Sequence, residues 1–378
     1  MNLLESKVIF PSLTIGIIGG GQLGRMMAIA ARYMGYKVAV LDPTPNCPTA
    51  QVADKQIIAP YDDMNAIKEL TAISDVVTYE FENVDLEAAR FIEAEGKLPQ
   101  GAFALEITQN REKEKLLMKD AGLPIPPFRV VTSGKECEAA LQNITFPAVI
   151  KTCRGGYDGK GQIKLNSNED IPQAIDFAKK NKHCIIEQWI TFDQEISVIF
   201  TRTTAGQIEF FPIAENVHRD HILYKTTVPA NIKETIRAQA YNAAEILAEK
   251  MNIVGTFAIE MFAKEDEIYL NEMAPRPHNS GHYTIEACNI SQFAQHVRAI
   301  CGLQLPAVQL LQPSVMINIL GEAMEGVLNA MPSVKDGFIH LYGKDEPKTK
   351  RKMGHVTFIG QTKEIVDEQV QHYEATIM

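Results

Sequence analysis

Several features of exported, membrane-bound and nucleic-acid-binding proteins are missing from this sequence. Lysines and arginines number 37 against 47 aspartates and glutamates, and the resulting net charge of −10 argues against a nucleic-acid partner. No apolar run approaches transmembrane length, and residues 1–7 carry charges where a signal peptide needs an apolar core, so we expect neither anchor nor leader. The six cysteines are scattered without a C-x-x-C pair, which is typical of reduced thiols. We therefore expect a cytoplasmic protein, and 378 residues suffice for two or three domains.

A P-loop is also absent, although one segment is rich in glycine. Between the apolar runs Phe146–Cys153 and Gln162–Leu165, glycines stand at positions 155, 156, 159 and 161, but arginine occupies position 154 and glycine follows Lys160, which breaks the P-loop order. We predict a strand, a loop and a strand. The glycines would let backbone N–H groups approach phosphate oxygens, and Lys151 would supply a positive charge. An ordinary flexible turn is the alternative.

A β-hairpin with two acids is the clearest pattern in the chain. The runs Gly255–Phe262 and Ile268–Met273 flank a charged segment, which predicts a hairpin with a five-residue loop. A register symmetric about Asp266 places Glu260 opposite Glu272. Facing carboxylates repel unless a divalent cation or a shared proton lies between them, so we predict a magnesium site. The alternative is that both glutamates point into water.

The segment after this hairpin, Asn271–His282, is rich in acid, cation and amide side chains and predicts a binding site. His278 and His282 have the i, i+4 spacing of a helical zinc pair. Pro275, Pro277 and Gly281 disfavour a helix there, so we do not expect zinc.

The N-terminal region predicts a βαβ unit. Strands are expected at Thr14–Ile18 and Lys37–Asp42, with a glycine turn at Gly19–Gly24 and a helix at Arg25–Met34. The glycines and Asp42 satisfy the dinucleotide fingerprint, so an NAD(P)-dependent oxidoreductase is a rival interpretation. Such a turn binds phosphate at a helix N-terminus whatever the rest of the ligand is. A plain packing role for the glycines is the alternative.

Further elements complete the outline. The strand Asp75–Asn83 ends in Glu80, Glu82 and Asn83, at the edge of a parallel sheet where ligands bind, and we expect Glu82 to be solvated. The remaining predictions are a helix at Gln109–Asp120 with Arg111 near its start, a proline-rich domain boundary at Leu123–Phe128, strands at Cys184–Ile190, Asp193–Phe200 and Phe210–Ala214, and a helix at Lys233–Lys250. Edge carbonyls and Glu187 or Glu195 at the strand crossover could hold an adenine and a ribose.

The order of Lys151, glycine loop, Glu187–Ile190, Glu195, Glu260 and Asn271–Glu272 resembles the ATP-grasp superfamily. With the segments Gly19–Arg25, Thr78–Asn83, Arg276–His282 and Arg351–His355, nearly the whole chain is similar to its 5-(carboxyamino)imidazole ribonucleotide synthases. The resemblance implies an α/β fold with an N-terminal Rossmann-like domain (1–122), a small α+β lid (123–194) and a larger α+β catalytic domain with a substrate-binding tail (195–378).

The same resemblance implies site residues. Expected ATP contacts are Arg111, Lys151, Gly156, Tyr157, Asp158, Gly159, Lys160, Gly161, Gln162, Glu187, Gln188, Trp189, Ile190, Glu195, His218, Asn271 and Glu272. Expected ribonucleotide contacts are Gln22, Leu23, Glu80, Asn83, Arg276, His278, Asn279, Ser280, Lys344 and Arg351. Catalytic roles fall to Arg276, Lys151 and Asn279, and Mg²⁺ to Glu260 and Glu272. For the basic tail with Lys344 and Arg351, a phosphate clamp and a solvated charged stretch both remain open.

The implied activity is ATP-dependent carboxylation of 5-aminoimidazole ribonucleotide with bicarbonate, through carboxyphosphate, in purine biosynthesis. Bicarbonate would be oriented by Arg276, the partners would be small molecules alone, and the assembly would be a homodimer. Another ATP-grasp ligase, such as a formate-using transformylase or a biotin carboxylase, would share the nucleotide machinery and differ in its acceptor. A non-catalytic nucleotide sensor is the third class, and the paired acids argue against it.

Overall fold

The computed structural model describes residues 8–156 and 161–377, and within them the strands form three sheets. The first sheet is parallel, with strand order β3-β2-β1-β4. Its unit contains β1 (Thr14–Ile18), α1 (Gln22–Tyr33), β2 (Lys37–Leu41), β3 (Lys55–Ile57), α2 (Met64–Ile73), β4 (Val76–Tyr79), α3 (Leu86–Ala94), α4 (Ala102–Thr108) and α5 (Arg111–Asp120). Because β1 and β4 are parallel neighbours, the glycine turn after β1 and the acids after β4 meet at one edge of the sheet.

The predicted βαβ unit is confirmed, with one shift. Helix α1 begins at Gln22 instead of Arg25, so that Gly24 is helical. Glu80 explains the early start, since its carboxylate accepts hydrogen bonds from the backbone N–H groups of Gly21 and Gly24 at the first turn of the helix. A carboxylate from a neighbouring strand thus caps the helix, which no local pattern in α1 could indicate.

The lid is a small antiparallel sheet covered by two helices. Its elements are β5 (Phe128–Val131), α6 (Gly134–Leu141), β6 (Ala148–Thr152), β7 (Gln162–Leu165), α7 (Ile171–Asn181) and β8 (Cys184–Gln188), and the strand order is β5-β8-β6-β7. The predicted strand, glycine loop and strand are therefore present, with the first strand shorter than expected. Apolar side chains of α6 and α7 pack on the sheet and form the core of this unit.

The remaining strands form one nine-stranded sheet among the described residues, in the order β14-β13-β9-β11-β12-β15-β17-β16, with β10 paired to β9. Its unit contains β9 (Gln194–Arg202), β10 (Ile208–Phe210), β11 (Ala214–Arg219), β12 (Ile222–Val228), α8 (Glu234–Lys250), β13 (Gly255–Lys264), β14 (Glu267–Ala274), α9 (Thr284–Ala287), α10 (Gln292–Ile300), β15 (Ser314–Leu320), α11 (Met324–Ala330), β16 (Gly337–Leu341), β17 (Lys352–Ile359) and α12 (Lys363–Ile377). Pairing of β12 with β15 joins the C-terminal strands β15, β16 and β17 to the strands β9 to β14 in one sheet. The proposed boundary at 122/123 lies between α5 and β5, whereas the one at 194/195 separates Gln194 from the rest of β9; both boundaries stay predictions.

The strand predicted at Phe210–Ala214 was wrong. Strand β10 ends at Phe210 and β11 begins at Ala214, because Pro212 between them has no N–H to donate to a neighbouring strand. As a result His218 lies within β11, not after a strand.

The predicted pairing of Glu260 with Glu272 is confirmed, but the loop is shorter than predicted. Lys264 pairs with Glu267, leaving a two-residue turn in which Glu265 has a positive φ of 55°. The register then shifts by one between Glu260 and Met261, where β14 carries one extra residue. The two-residue turn alone would place Glu260 opposite Asn271, and the bulge moves the register by one residue, so the acids face each other as the predicted symmetry about Asp266 requires.

None of the helices in the described part of the chain combines the length and apolarity needed to cross a bilayer.

Candidate active site

A cavity of about 730 Å³ lies where the N-terminal sheet, the lid and the large sheet meet. Residues far apart in sequence share its wall. The predicted site residues that line it are Gln22, Leu23, Asn83, Arg111, Lys151, Gly156, Gln162, Glu187, Gln188, Trp189, Ile190, Glu195, His218, Glu260, Asn271, Glu272, Arg276, His278 and Asn279.

Five other predicted residues are not among those that line the cavity. Glu80 and Ser280 are buried, and Gly161 closes the lid loop by accepting a hydrogen bond from the Thr152 amide. Lys344 and Arg351 lie in the basic segment that leads into β17. The predicted contacts Tyr157, Asp158, Gly159 and Lys160 lie outside the described residues.

The hairpin brings its two carboxylates to the cavity. The Glu260 side chain is only 10% exposed, and burial, reinforced by the charge of Glu272, raises its pKa to about 8. The bulge also brings Asn271 to the cavity, because it lets two consecutive residues of β14 face one residue of β13. A divalent cation would relieve the repulsion between the acids, and carboxylate oxygens are donors that Mg²⁺ prefers, so the residues fit that ion.

A histidine and a third acid lie beside Glu260. His218 Nδ1 is 2.8 Å from a carboxylate oxygen of Glu195. Burial alone would lower the pKa of His218, but the hydrogen bond to Glu195 and the charge of Glu260 raise it. The ligand atoms of Glu195, His218 and Glu260 lie within 4.8 Å of one another, which offers a cation a donor set that the sequence did not predict.

The lid lysine is held by a buried carboxylate. Lys151 Nζ is 2.8 Å from Glu187, and Lys115 Nζ approaches the other oxygen of Glu187 at 3.8 Å. Burial raises the pKa of Glu187, but the two lysine charges outweigh it and lower that pKa to about 2. Two cations therefore share one anion, and the surplus positive charge lies where the lid strand β6 reaches the cavity.

Sequence reasoning missed Lys115 and its neighbour Glu114. Lys115 Nζ donates to the carbonyl oxygens of Leu270 and Asn271, and Glu114 accepts a hydrogen bond from the Met273 amide, so helix α5 fixes the strand that carries Glu272. Burial raises the pKa of Glu114 to about 8. The alternating charges of α5 look like a solvated face in the sequence. The one available signal was the i, i+4 spacing of Glu114 to the buried Met118.

Arg111 holds the glycine loop of the lid in place by hydrogen bonds. Its guanidinium donates to the carbonyl oxygens of Thr152, Gly155 and Gly156 at 2.8–3.1 Å. Gly155 and Gly156 both have positive φ, a conformation that β-carbons disfavour. Because Arg111 engages carbonyl groups, it orients the loop without occupying its N–H groups.

The N-terminal glycine turn is occupied by the protein's own carboxylates. Asp42 accepts from the Gly20 amide at 2.7 Å and from the Tyr61 hydroxyl at 2.6 Å. Glu80 accepts from Gly21 and Gly24 at the helix N-terminus, where a dinucleotide's pyrophosphate would bind. Both acids of this turn are buried, which argues against the oxidoreductase interpretation.

Glu82 keeps 30% of its side chain exposed, but it forms an ion pair that the sequence analysis did not predict. One of its oxygens lies 2.7 Å from Nε and 2.6 Å from an Nη of Arg276, and both residues line the cavity. Burial would raise the pKa of Glu82, but the charge of Arg276 lowers it. The ion pair orients Arg276. Near it, the side-chain amide atoms of Asn279 are buried and find no hydrogen-bond partner in the described chain, so they are available to a ligand.

A chain of buried hydrogen bonds fixes the tautomer of His278. Thr226 donates to Asn216, Asn216 to the Ser197 hydroxyl, and Ser197 to the Ser280 hydroxyl, at 2.7–3.0 Å. The Ser280 proton is then left for Nδ1 of His278, 2.9 Å away. Burial, followed by the charge of Arg276, lowers the pKa of His278 well below its usual value. The imidazole is therefore neutral, with its proton on Nε2, which lies 3.5 Å from Glu260.

In the basic tail, Lys352 is the residue at the cavity, and the sequence analysis did not select it. Lys344 Nζ donates to the backbone carbonyl of Lys352 at 2.7 Å, while Arg351 is exposed and donates to the carbonyl of Glu346. Successive side chains of an extended segment point to opposite sides, so Lys352 lines the cavity while its neighbour Arg351 is exposed.

Known families match the chain in three consecutive parts. The ribonucleotide synthetase preATP-grasp domain matches residues 12–109, the ATP-grasp domain residues 116–293, and the phosphoribosylaminoimidazole carboxylase C-terminal domain residues 314–369. An N5-carboxyaminoimidazole ribonucleotide synthase of Bacillus subtilis (strain 168) is 47% identical over 369 residues, which cover 97% of this chain and 96% of that protein.

Solved structures agree with this match. The ADP complex of an N5-carboxyaminoimidazole ribonucleotide synthetase has a TM-score of 0.95 and 50% identity, covering 98% of each chain. The N5-carboxyaminoimidazole synthase of Aspergillus clavatus, in complex with ADP and 5-aminoimidazole ribonucleotide, has a TM-score of 0.89 and 32% identity, covering 97% of this chain and 99% of that one. The chain therefore belongs to the N5-carboxyaminoimidazole ribonucleotide synthases, a family of ligases built on the ATP-grasp fold.

Proposed function

We propose that this enzyme uses ATP to carboxylate 5-aminoimidazole ribonucleotide with bicarbonate, giving 5-(carboxyamino)imidazole ribonucleotide, ADP and phosphate. The observation that carries the proposal is the single cavity in which the lid lysine, the paired hairpin acids and the Arg276–Asn279 segment meet. Phosphoryl transfer and carboxyl transfer need these groups within reach of one another, since carboxyphosphate must react where it forms.

ATP is proposed to bind at the lid end of the cavity. Lys151 and the glycine loop would face the phosphates, and the crossover Glu187–Ile190 would face the adenine. Two contacts support this placement of ATP. Glu187 holds Lys151 at the cavity by an ion pair, and Arg111 keeps the glycine loop in place by donating to the carbonyl oxygens of the loop. A preoriented positive charge stabilises the charge that develops on the transferred phosphoryl group.

Glu260 and Glu272 are proposed to hold magnesium. A bound Mg²⁺ neutralises charge on the β- and γ-phosphates. The protein's part is to hold both carboxylates on the bulged hairpin, and Lys115 and Glu114 anchor that hairpin through its backbone. Glu195 and His218 offer further donors beside Glu260.

The opposite end is proposed to bind bicarbonate and the ribonucleotide. Arg276, oriented by Glu82, would place the bicarbonate oxygen for attack on the γ-phosphorus, which releases ADP. Carboxyphosphate would break down to carbon dioxide and phosphate in the closed site. The substrate amine would then add to the carbon of carbon dioxide and lose a proton. The Nε2–H of His278 and the unpartnered amide of Asn279 would donate hydrogen bonds to the oxygens of bicarbonate and carboxyphosphate; the fixed tautomer of His278 and the buried, unpartnered amide support this role.

The ribonucleotide itself is proposed to contact Gln22, Leu23, Glu80, Asn83 and the tail residues Lys344 and Arg351. We add Lys352 to this set because it lines the cavity. We also infer a homodimer that works in the cytoplasm with small molecules as its only partners. Six buried free thiols suit a reducing compartment.

The direct test measures ADP release from magnesium-ATP and bicarbonate while the free aromatic amine is followed. ADP release that requires the ribonucleotide and matches loss of the amine would establish the reaction. Replacing the ribonucleotide by biotin, or bicarbonate by formate, should abolish coupling. ATP turnover that ignores the ribonucleotide would contradict the proposal and direct the search to another acceptor.

A further inference from the structure

A second cluster of ligand side chains lies outside the cavity. It consists of Glu286 on α9, His340 on β16 and His355 on β17, whose ligand atoms all lie within 4.8 Å of one another. His340 and His355 are directly opposite in the antiparallel pair β16-β17, and their rings stack with centroids 4.7 Å apart at 14°. Opposed histidines on neighbouring strands have their side chains close enough to share a ligand.

Two ligand atoms of this cluster lack a partner. His340 Nε2 lies 2.6 Å from one oxygen of Glu286, but the other oxygen of Glu286 and Nε2 of His355 accept or donate no hydrogen bond within residues 8–156 and 161–377. The His355 ring is fully buried, and the Glu286 side chain is 8% exposed. Buried polar atoms without a partner are unfavourable, so their presence together points to a ligand that satisfies both.

The surroundings of His355 suit a metal ligand. Its Nδ1 lies 2.9 Å from the hydroxyl of the buried Tyr342, which can accept the Nδ1 proton and leave the Nε2 lone pair facing Glu286 and His340. The His282 ring packs against His355 at 4.7 Å.

We propose that Glu286, His340 and His355 bind one Zn²⁺ ion, with water in a fourth position. Small side-chain rotations would bring donors at these separations to the distances of about 2.0–2.2 Å that zinc requires. Two imidazoles and one carboxylate favour zinc over magnesium, which prefers oxygen donors. The His340 side chain is 36% exposed, which gives the ion and its water a path from solvent.

The ion would join two walls of the active site. Helix α9 follows the segment that carries Arg276, His278 and Asn279, and β17 begins with Lys352 at the cavity. In this arrangement zinc is structural: it clamps the C-terminal hairpin to the catalytic segment and does not enter the chemistry. The binding claim is independent of the proposed reaction, because it is tested without substrate turnover.

The test is a zinc titration of the full-length protein in saturating Mg²⁺ and ADP, with bound metal measured by elemental analysis and the melting temperature followed in parallel. Mg²⁺ and ADP occupy the active-site acids, and Glu260→Gln serves as a second background that weakens metal binding there. We expect one equivalent of zinc and a melting temperature that falls on addition of a chelator.

His340→Gln and Glu286→Gln should each weaken zinc binding at least tenfold and abolish the chelator effect, since each removes one ligand. The His340 side chain is 36% exposed, so His340→Gln should fold even if Glu286→Gln or His355→Gln does not. His372→Gln, at an exposed position on α12, is the matched control and should bind like the wild type. Zinc binding that is unchanged in His340→Gln, or absent from the wild type, would overturn the proposal and leave an ordinary Glu286–His340 hydrogen bond.

Discussion

Two glycine-rich turns border the active site, and they differ in which backbone groups the protein itself engages. In the N-terminal turn, the N–H groups of Gly20, Gly21 and Gly24 are taken by Asp42 and Glu80. In the lid loop, the guanidinium of Arg111 takes carbonyl oxygens instead. The first turn is thereby closed to an incoming phosphate, whereas Arg111 does not occupy the N–H groups of Gly155 and Gly156, which we propose face one.

The comparison shows that spacing alone does not identify a phosphate site. The N-terminal turn satisfies the dinucleotide fingerprint and the lid loop matches no P-loop, yet it is the lid loop that stands beside the surplus lysine charge. The two ends of the cavity should therefore respond differently to substitution. Variants at the lid and hairpin should change nucleotide parameters, and variants at the N-terminal turn should change ribonucleotide parameters.

The largest effect is expected for Glu272→Gln at the nucleotide end. Loss of one metal-binding charge should lower kcat by about 100-fold or more, with little change in melting temperature because the side chain is exposed at the cavity. Glu267→Gln, exposed at the turn of the same hairpin, is the control. Near-normal turnover of Glu272→Gln would show that Glu272 does not hold the metal. It would also contradict the assignment of the nucleotide and the ribonucleotide to opposite ends of the cavity.

Lys151→Met should raise the KM for ATP by roughly 10- to 100-fold, since a charge-assisted contact to phosphate is lost. The variant also leaves Glu187 with Lys115 alone, so stability should fall. Melting temperature and the KM for ATP, measured on the same variant, separate these two effects. A normal KM for ATP together with a lowered melting temperature would make the lysine structural. Lys180→Met, exposed on α7, controls for lost charge on the lid.

Much of the arrangement at the two ends of the cavity could be predicted from the sequence, because strands, turns and hairpin register follow from local patterns. Glu260 opposite Glu272 was predicted correctly although the loop length was wrong, because the shorter turn and the bulge cancel. The pair Glu82–Arg276 could not be predicted, since it joins residues 194 positions apart. Nor could the burial of Lys115, which depends on packing of α5 against a distant strand.

Magnesium affinity should depend on pH at the nucleotide end. The pKa of Glu260 is raised to about 8, so below that pH a proton must leave before the carboxylate binds the ion. Affinity should fall by up to about tenfold per pH unit below 8 and level off above it. Titration calorimetry in buffers of different ionisation enthalpy should detect proton release at pH 7.

The same shift has a consequence for stability. A carboxyl pKa raised above its unfolded value stabilises the metal-free fold fully at pH values below the usual glutamate pKa, and this contribution is lost as pH rises through about 8. The melting temperature without metal should therefore fall from about pH 4.5, the usual glutamate pKa, to about pH 8, and level off above it. Glu260→Gln should lose part of this dependence and keep the part due to Glu114. An unchanged profile in Glu260→Gln would show that the hairpin acids are not coupled as described.

The smallest effect, and the sharpest test of the comparison, is expected for Glu80→Gln. The amide retains one acceptor oxygen but places an N–H group against the backbone N–H of Gly21 or Gly24, so the first turn of α1 should loosen. Because Gln22 and Leu23 line the cavity from that turn, the KM for the ribonucleotide should rise by several-fold, on the order of 1 kcal/mol, while the KM for ATP stays unchanged. Glu95→Gln, at an exposed position in the same domain, is the control. If Glu80→Gln instead gained affinity for NADH, the carboxylate would be the only barrier between this turn and a dinucleotide; if it changed the KM for ATP, the two ends of the cavity would not be separate.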